Sequence, residues 1–242
     1  MKVEGRNAVY ELLKTDKEID KILVQKDLKD EASKRLVNVI RSNKVKIQVV
    51  DKYVIDKESE SKRSQGFIAY VSNYKYFEIE DILNDVKDKD GFIVILNEIM
   101  DPHNLGSIIR VCECAGVDGI VIGKDRSASV SDTVMRISEG ALNHIKVARV
   151  TNVNQTIDLL KDNGFWVYGA EAGGSDIYKT NLKGKLCLVI GGEDSGVKRL
   201  TKEKCDGIVS IPMFGKINSL NASVACGVAV YEAVRQRIDA GK

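Results

Sequence analysis

The chain has 242 residues, 43% hydrophobic and 30% charged, with two prolines. It is long enough to bury a sizeable core in one large or two small domains. No apolar run reaches the length of a membrane span, and the charged opening Met-Lys-Val-Glu-Gly-Arg is not a signal peptide. Five cysteines without framework spacing predict reduced thiols in a cytoplasmic protein. Cys112 and Cys114 would point to different faces of a helix, and His103 and His144 are the only histidines, so no metal site is expected. The net charge of +2 is uneven. Residues 1–72 hold 16 Lys and Arg against 12 Asp and Glu, whereas residues 73–90 hold 3 against 6. A basic first segment suits nucleic acid, and a solvated surface explains it equally well.

Residues 1–74 read as a small α/β domain. Helical patterns at 5–13 and 29–40 alternate with apolar strands at 21–24, 45–50 and 67–71. Residues 51–64 form a charged loop ending in Lys62, Arg63, Ser64, Gln65 and Gly66. Arg63 and Gln65 are candidate RNA contacts, with a solvated turn as the competing reading. The acidic stretch 75–90 reads as a linker with room for one short helix.

From residue 91 to 242 the pattern is a regular β-α alternation, predicting a mostly parallel sheet covered by helices. Strands are expected at 92–96, 119–122, 145–150, 165–170, 186–190 and 208–211, and helices at 107–115, 133–137, 154–163 and 200–204. Residues 97–105 are expected as a loop. Pro212 ends the last strand, and Ser219 and Asn221 are placed to cap a long final helix. Leu220, Val224, Val228, Tyr231, Val234 and Ile238 recur at helical spacing and predict its buried face. Ala222, Ser223, Ala225, Cys226, Gly227 and Ala229 between them allow close approach by another backbone.

Three polar clusters fall at strand ends: 101–110, 191–196 and 215–221. In an open α/β sheet such ends converge on one crevice, so Asn104, Arg110, Glu193, Ser219 and Asn221 can meet there. Arg110 is expected on the first turn of its helix, its guanidinium serving a phosphate or forming a structural ion pair with Glu193. No Gly-x-Gly-x-x-Gly follows the first strand of this region, and Gly169 to Gly174 is expected to be a surface loop.

The segments NEIMDPHNLGSIIR (97–110), LVIGGEDSG (188–196) and IPMFGKINSLNASVA (211–225) resemble the three motifs of the SpoU, or TrmH, family of RNA ribose 2′-O-methyltransferases. The flanking pieces KDRSA (124–128), RLTKEKCD (199–206) and YEAVRQR (231–237) are most similar to its RlmB branch, which methylates a guanosine ribose in 23S rRNA. Residues 5–13 and 64–66 resemble that branch's RNA-binding domain. Glu139 and the pair Asp194-Ser195 depart from the usual pattern.

The resemblance implies a SPOUT-type α/β knot, with a C-terminal trefoil knot holding S-adenosyl-L-methionine near Gly191, Gly192, Ile211, Met213 and Leu220. It further implies a homodimer through the final helix, whose small-residue face would serve that interface. Arg110 would contact the ribose hydroxyl or its neighbouring phosphate, lowering the hydroxyl's proton affinity, because a guanidinium does not act as a base. Asn104, Ser219 and Asn221 would orient the nucleotide, and Glu193 would hold Arg110. A tRNA methyltransferase, an rRNA-methylating resistance enzyme and a non-catalytic RNA-binding relative are the alternatives.

Overall fold

Apolar runs alternating with amphipathic segments build two separate sheets in the computed structural model, which describes residues 1–15, 17–192 and 196–239. They belong to two units, Met1–Lys75 and Tyr76–Lys242.

In the first unit β1 (Lys2–Glu4), β2 (Ile19–Gln25), β3 (Ile47–Val50) and β4 (Phe67–Val71) are ordered β1-β4-β2-β3. β2 and β3 are parallel, and β4 runs antiparallel to both its neighbours. The helices α1 (Arg6–Leu12) and α2 (Glu31–Ser42) bury Val9, Leu12, Leu36 and Ile40 against Ile22, Val24 and Phe67. Asp30 caps α2 by accepting from the Ser33 amide at 2.9 Å. On the other face a third helix, α3 (Lys52–Glu58), sets Ile55 against Leu23 and Ile68. This stretch, expected as a charged loop, is helical. Ile55 is the only fully buried residue of α3, so its charged remainder disguises the helix.

Residues 76–90, expected as a linker, pack into the second unit. Helix α4 (Ile79–Asp85) carries Ile79 and Ile82 into its core together with Val86, and Phe77 bridges to Ala148. Three apolar residues at helical spacing suffice to anchor one face while the acidic face stays in water.

The second unit is built on β5 (Phe92–Asn97), β6 (Gly119–Gly123), β7 (Lys146–Val150), β8 (Trp166–Asp176), β9 (Leu186–Gly191) and β10 (Gly207–Ser210), ordered β10-β8-β9-β5-β6-β7. Every pairing is parallel, as expected for near-continuous apolar strands buried on both faces. The connections carry α5 (Pro102–Cys114), α6 (Asp132–Ile137), α7 (Val153–Asp162) and α8 (Arg199–Lys204), and α9 (Ala222–Asp239) follows β10.

Three expectations change here. Helix α5 begins at Pro102, not near residue 107, because Asp101 accepts from the His103 amide at 2.9 Å and proline fits the first helical position. Arg110 therefore lies on the third turn. The run Gly169 to Gly174 is no surface loop; it continues β8, and Gly174 lies so close to Ile208 that a Cβ would meet its carbonyl oxygen at 2.5 Å. Finally, α9 buries the opposite face from the one predicted. Ala222, Cys226, Ala229, Val230 and Ala233 are buried, with α9 packed on α5, whereas Val224, Tyr231 and Ile238 are 51%, 49% and 62% exposed. The small-residue face is thus used within the chain.

Candidate active site

A cavity of about 440 Å³ opens where β8, β9 and β10 end. The carboxyl edge of a parallel sheet is the usual ligand position, because loops there can diverge and backbone groups are uncommitted. Gly191 and Gly192 form one wall. A Cβ on Gly191 would overlap the backbone of Gly196 and Val197, and one on Gly192 would overlap the Glu98 carbonyl oxygen. Only glycine admits this crossing of chains.

Three segments are stitched together around these glycines. The Gly192 amide donates to the Asn97 carbonyl at 2.9 Å, and the Asn97 side chain accepts from the Lys198 amide at 3.1 Å. Glu171, on the extended part of β8, accepts from the Val197 amide at 3.0 Å and pairs with Lys202. Its neighbours Ala170 and Ala172 also line the cavity. Neither Asn97 nor Glu171 stands among the residues expected at the site. Glu171 could have been found as an acid among small residues continuing an apolar strand.

The opposite wall comes from the segment after β10, including Ile211, Met213, Ser219, Leu220 and Asn221. All five residues expected to hold a cofactor, Gly191, Gly192, Ile211, Met213 and Leu220, therefore face one cavity. Residues 213–220 make no hydrogen bond with any described residue, so their backbone donors and acceptors are open to a ligand. Phe214 at 98% and Ile217 at 77% exposure extend this segment into solvent.

Asn221 ends the segment and caps α9, accepting from the amides of Ser223 at 2.9 Å and Val224 at 3.4 Å. Ser219 lines the cavity without capping the helix. The Asn221 amide group donates to Asn104 at 3.0 Å, which brings buried Asn104, on the first turn of α5, to the same edge. Arg110 is exposed, and its side chain has neither hydrogen bond nor ion pair with a described residue. Glu193, its expected partner, lies outside the described residues. Arg63 and Gln65 stand in the first unit. Gln65 is committed locally, its side-chain oxygen accepting from the Arg6 amide at 3.1 Å, while the Arg63 guanidinium is exposed.

Between α5 and α9, the Cys226 side chain and burial together push the Cys112 thiol well above its ordinary range, which makes it a poor nucleophile. Among the described residues no group of three or more His, Cys, Asp or Glu is placed to hold a metal ion, and no helix is long and apolar enough to cross a membrane.

Fold and site define an α/β enzyme unit with its ligand cleft across the carboxyl edge of a parallel sheet, joined to a second α/β domain. Residues 91–231 match the SpoU rRNA Methylase family, and residues 2–77 match the family described as RNA 2′-O ribose methyltransferase substrate binding. The chain belongs to the SpoU rRNA methylase family and is an RNA methyltransferase.

A Staphylococcus aureus protein named for the TrmH family of tRNA/rRNA methyltransferases is 42% identical over 244 residues, covering 99% of this chain and 98% of its own. Among solved structures, the SpoU methyltransferase AviRb from Streptomyces viridochromogenes, in complex with the cofactor AdoMet, superposes with a TM-score of 0.64. It is 24% identical and covers 99% of this chain and 91% of its own, a likeness that establishes the fold. The A. aeolicus TrmH/SpoU tRNA modifying enzyme has a TM-score of 0.57 at 27% identity, covering 67% of this chain and 86% of its own.

Proposed function

We propose that the second unit transfers a methyl group from S-adenosylmethionine to a ribose 2′-hydroxyl, and that the substrate is a guanosine of 23S rRNA, the activity of the RlmB branch. The observation that carries this reading is the cavity of about 440 Å³ walled by side-chain-free glycines and by Met213, Asn218, Ser219 and Leu220, whose backbone groups have no partner among the described residues. Those features fit a cofactor with a flat base and a polar tail. Gly191, Gly192, Ile211, Met213 and Leu220 would hold it largely through main-chain contacts, in the trefoil knot that the resemblance implies. When bound, the cofactor supplies a methyl group on a positively charged sulfur.

This chain's residues do the rest. Arg110, charged and uncommitted, would sit against the ribose hydroxyl or its phosphate and stabilise negative charge as the hydroxyl proton leaves. Asn104, Ser219 and Asn221 would hold the nucleotide in line with the donor, where alignment supplies much of the rate. The role of Glu193 as the group holding Arg110 rests on the resemblance alone. The first unit would supply the main RNA grip, through Arg63 among others.

Ribosomal RNA is favoured over transfer RNA because the chain carries a whole additional unit matching a substrate-binding family. The exposed stripe of Val224, Tyr231 and Ile238 on α9 supports a homodimer through the final helix, by a different face from the small-residue one. The free cysteines fit a cytoplasmic setting.

Calorimetry with S-adenosylmethionine and mapping of 2′-O-methyl positions in RNA from cells with and without the gene test the proposal. One guanosine of 23S rRNA should lose its mark. Loss confined to tRNA would move the activity there, and no lost mark together with no cofactor binding would overturn it.

A further inference from the structure

The first unit contains a second concavity, of about 410 Å³, lying along α2. Its floor is apolar, made by Val24, Leu28, Val37 and Ile47. Ser33, Val37 and Arg41 recur at four-residue steps on the flank of α2, so the groove follows the helix for about 12 Å. The far side is β3, the edge strand of its sheet, with Val49 63% exposed.

Its polar rim is uncommitted. The Gln25 and Asn38 side-chain amides make no hydrogen bond with a described residue, and Lys26 and Arg41 have no ion pair with one. Lys34 also lines the groove, though it lies 3.5 Å from Glu31. Asp27 is the one carboxylate on the rim, and its positive φ of 64° marks a tight turn out of β2. Three cations against one anion leave the rim basic.

We propose that this groove is a subsite for unpaired RNA: a base lies on the aliphatic floor, Gln25 and Asn38 read its edge, and Lys26 and Arg41 hold the phosphates on either side. The chemistry separates single from double strands. A duplex presents phosphates and a shallow minor groove to a protein and keeps its bases stacked inside, so it has nothing to place on an apolar floor. A splayed single strand offers both a base face and flanking charges. An apolar partner segment would use the floor but would leave Lys26, Arg41 and both amides unanswered.

This subsite rests on the RNA-modifying reading, and the experiment separates the two. The full chain is titrated with an unstructured RNA oligonucleotide and with the same strand annealed to its complement, at several salt concentrations, beside methyl transfer to a 23S rRNA transcript. Wild type should prefer the single strand. Lys26→Ala with Arg41→Ala should weaken that binding about tenfold or more and flatten its salt dependence by about 1.4 in the log–log slope, at roughly 0.7 per phosphate contact. Asn38→Ala should weaken single-strand binding while leaving the salt slope unchanged. All these side chains are on the surface, so thermal unfolding should not move. Equal affinity for both strands, or unaltered binding by the folded double variant, overturns the subsite. A wild type that binds no cofactor and transfers no methyl group overturns the enzyme reading instead.

Discussion

Asn221 donates its side-chain amide to Asn104 across 3.0 Å, joining the start of α9 to the first turn of α5. The same side chain accepts from the Ser223 amide at 2.9 Å, so one residue both caps a helix and ties two motifs lying 117 positions apart. Losing the cap should cost about 1 kcal/mol, so Asn221→Ala should lower the melting temperature by roughly 2–4 °C. Asn221→Asp retains the accepting oxygen and adds a favourable charge at the helix start, but cannot donate to Asn104. It should restore stability while leaving methyl transfer impaired. Equal recovery of both by aspartate would show that the tie to Asn104 has no part in the site.

Arg110 offers a sharper separation of structure from chemistry. It is exposed and unpaired among the described residues, so Arg110→Ala should leave thermal unfolding and cofactor affinity nearly unchanged. Single-turnover methyl transfer should fall by roughly a hundredfold to a thousandfold, the cost of losing a stabiliser of developing charge. Lysine should rescue little, because it lacks the planar fork. A folded Arg110→Ala protein with near-normal transfer would remove the residue from the mechanism.

In the first unit, Glu4 anchors the loop that precedes Arg63. Its carboxylate accepts from the Ser59 hydroxyl and Glu60 amide, both at 2.7 Å, from the Ser61 amide at 3.1 Å and from the Ser61 hydroxyl. Burial alone would raise its pKa, but these donors outweigh it and lower the value from 4.5 to about 2. A pKa lower in the folded state means that the contribution to stability is full above about pH 4.5 and is lost as pH falls toward 2. Acid unfolding of the first unit should therefore be steeper in wild type than in Glu4→Gln across that window, followed by circular dichroism. Identical acid profiles would show that the anchor adds nothing.

On α9, the exposed stripe predicts how copies of the chain associate. Tyr231→Glu combined with Val224→Glu should convert a dimer into a monomer by sedimentation without unfolding it, since both positions are about half exposed in the single chain. A dimer that survives both charges would place the interface elsewhere, and a monomeric wild type would remove it.

Much of the site was legible because its parts are local. Gly191 and Gly192 follow an apolar strand, Pro212 ends another, and Asn221 stands before a long helical pattern. Strand ends in a parallel sheet meet at one edge whatever lies between them, so order along the chain was enough to bring Gly191, Met213 and Asn221 together. The Asp-Pro start of α5 is equally local, and it sets Arg110 two turns further along the helix than the apolar run alone suggests.

By itself, the sequence determined most strands and helices of the second unit, their alternation and the edge at which Gly191, Met213 and Asn221 gather, because these follow from periodicity and backbone chemistry over short spans. Only the tertiary structure decided which face of α9 is buried. That face holds alanines, a cysteine, Val230 and two polar residues, Glu232 and Gln236, and Gln236 bonds to the Leu182 amide and the Thr180 carbonyl at 2.9 and 3.0 Å. The exposed face carries the larger apolar side chains, Val224, Tyr231 and Ile238, beside the charged Arg235 and Asp239. Hydrophobic periodicity therefore pointed outward, since close packing against α5 selects for size and satisfied hydrogen bonds rather than for greasiness. The extension of β8 through Gly174 was hidden for the same kind of reason: small residues that read as a loop are the ones that let Ile208 approach, and only the packed neighbour reveals it.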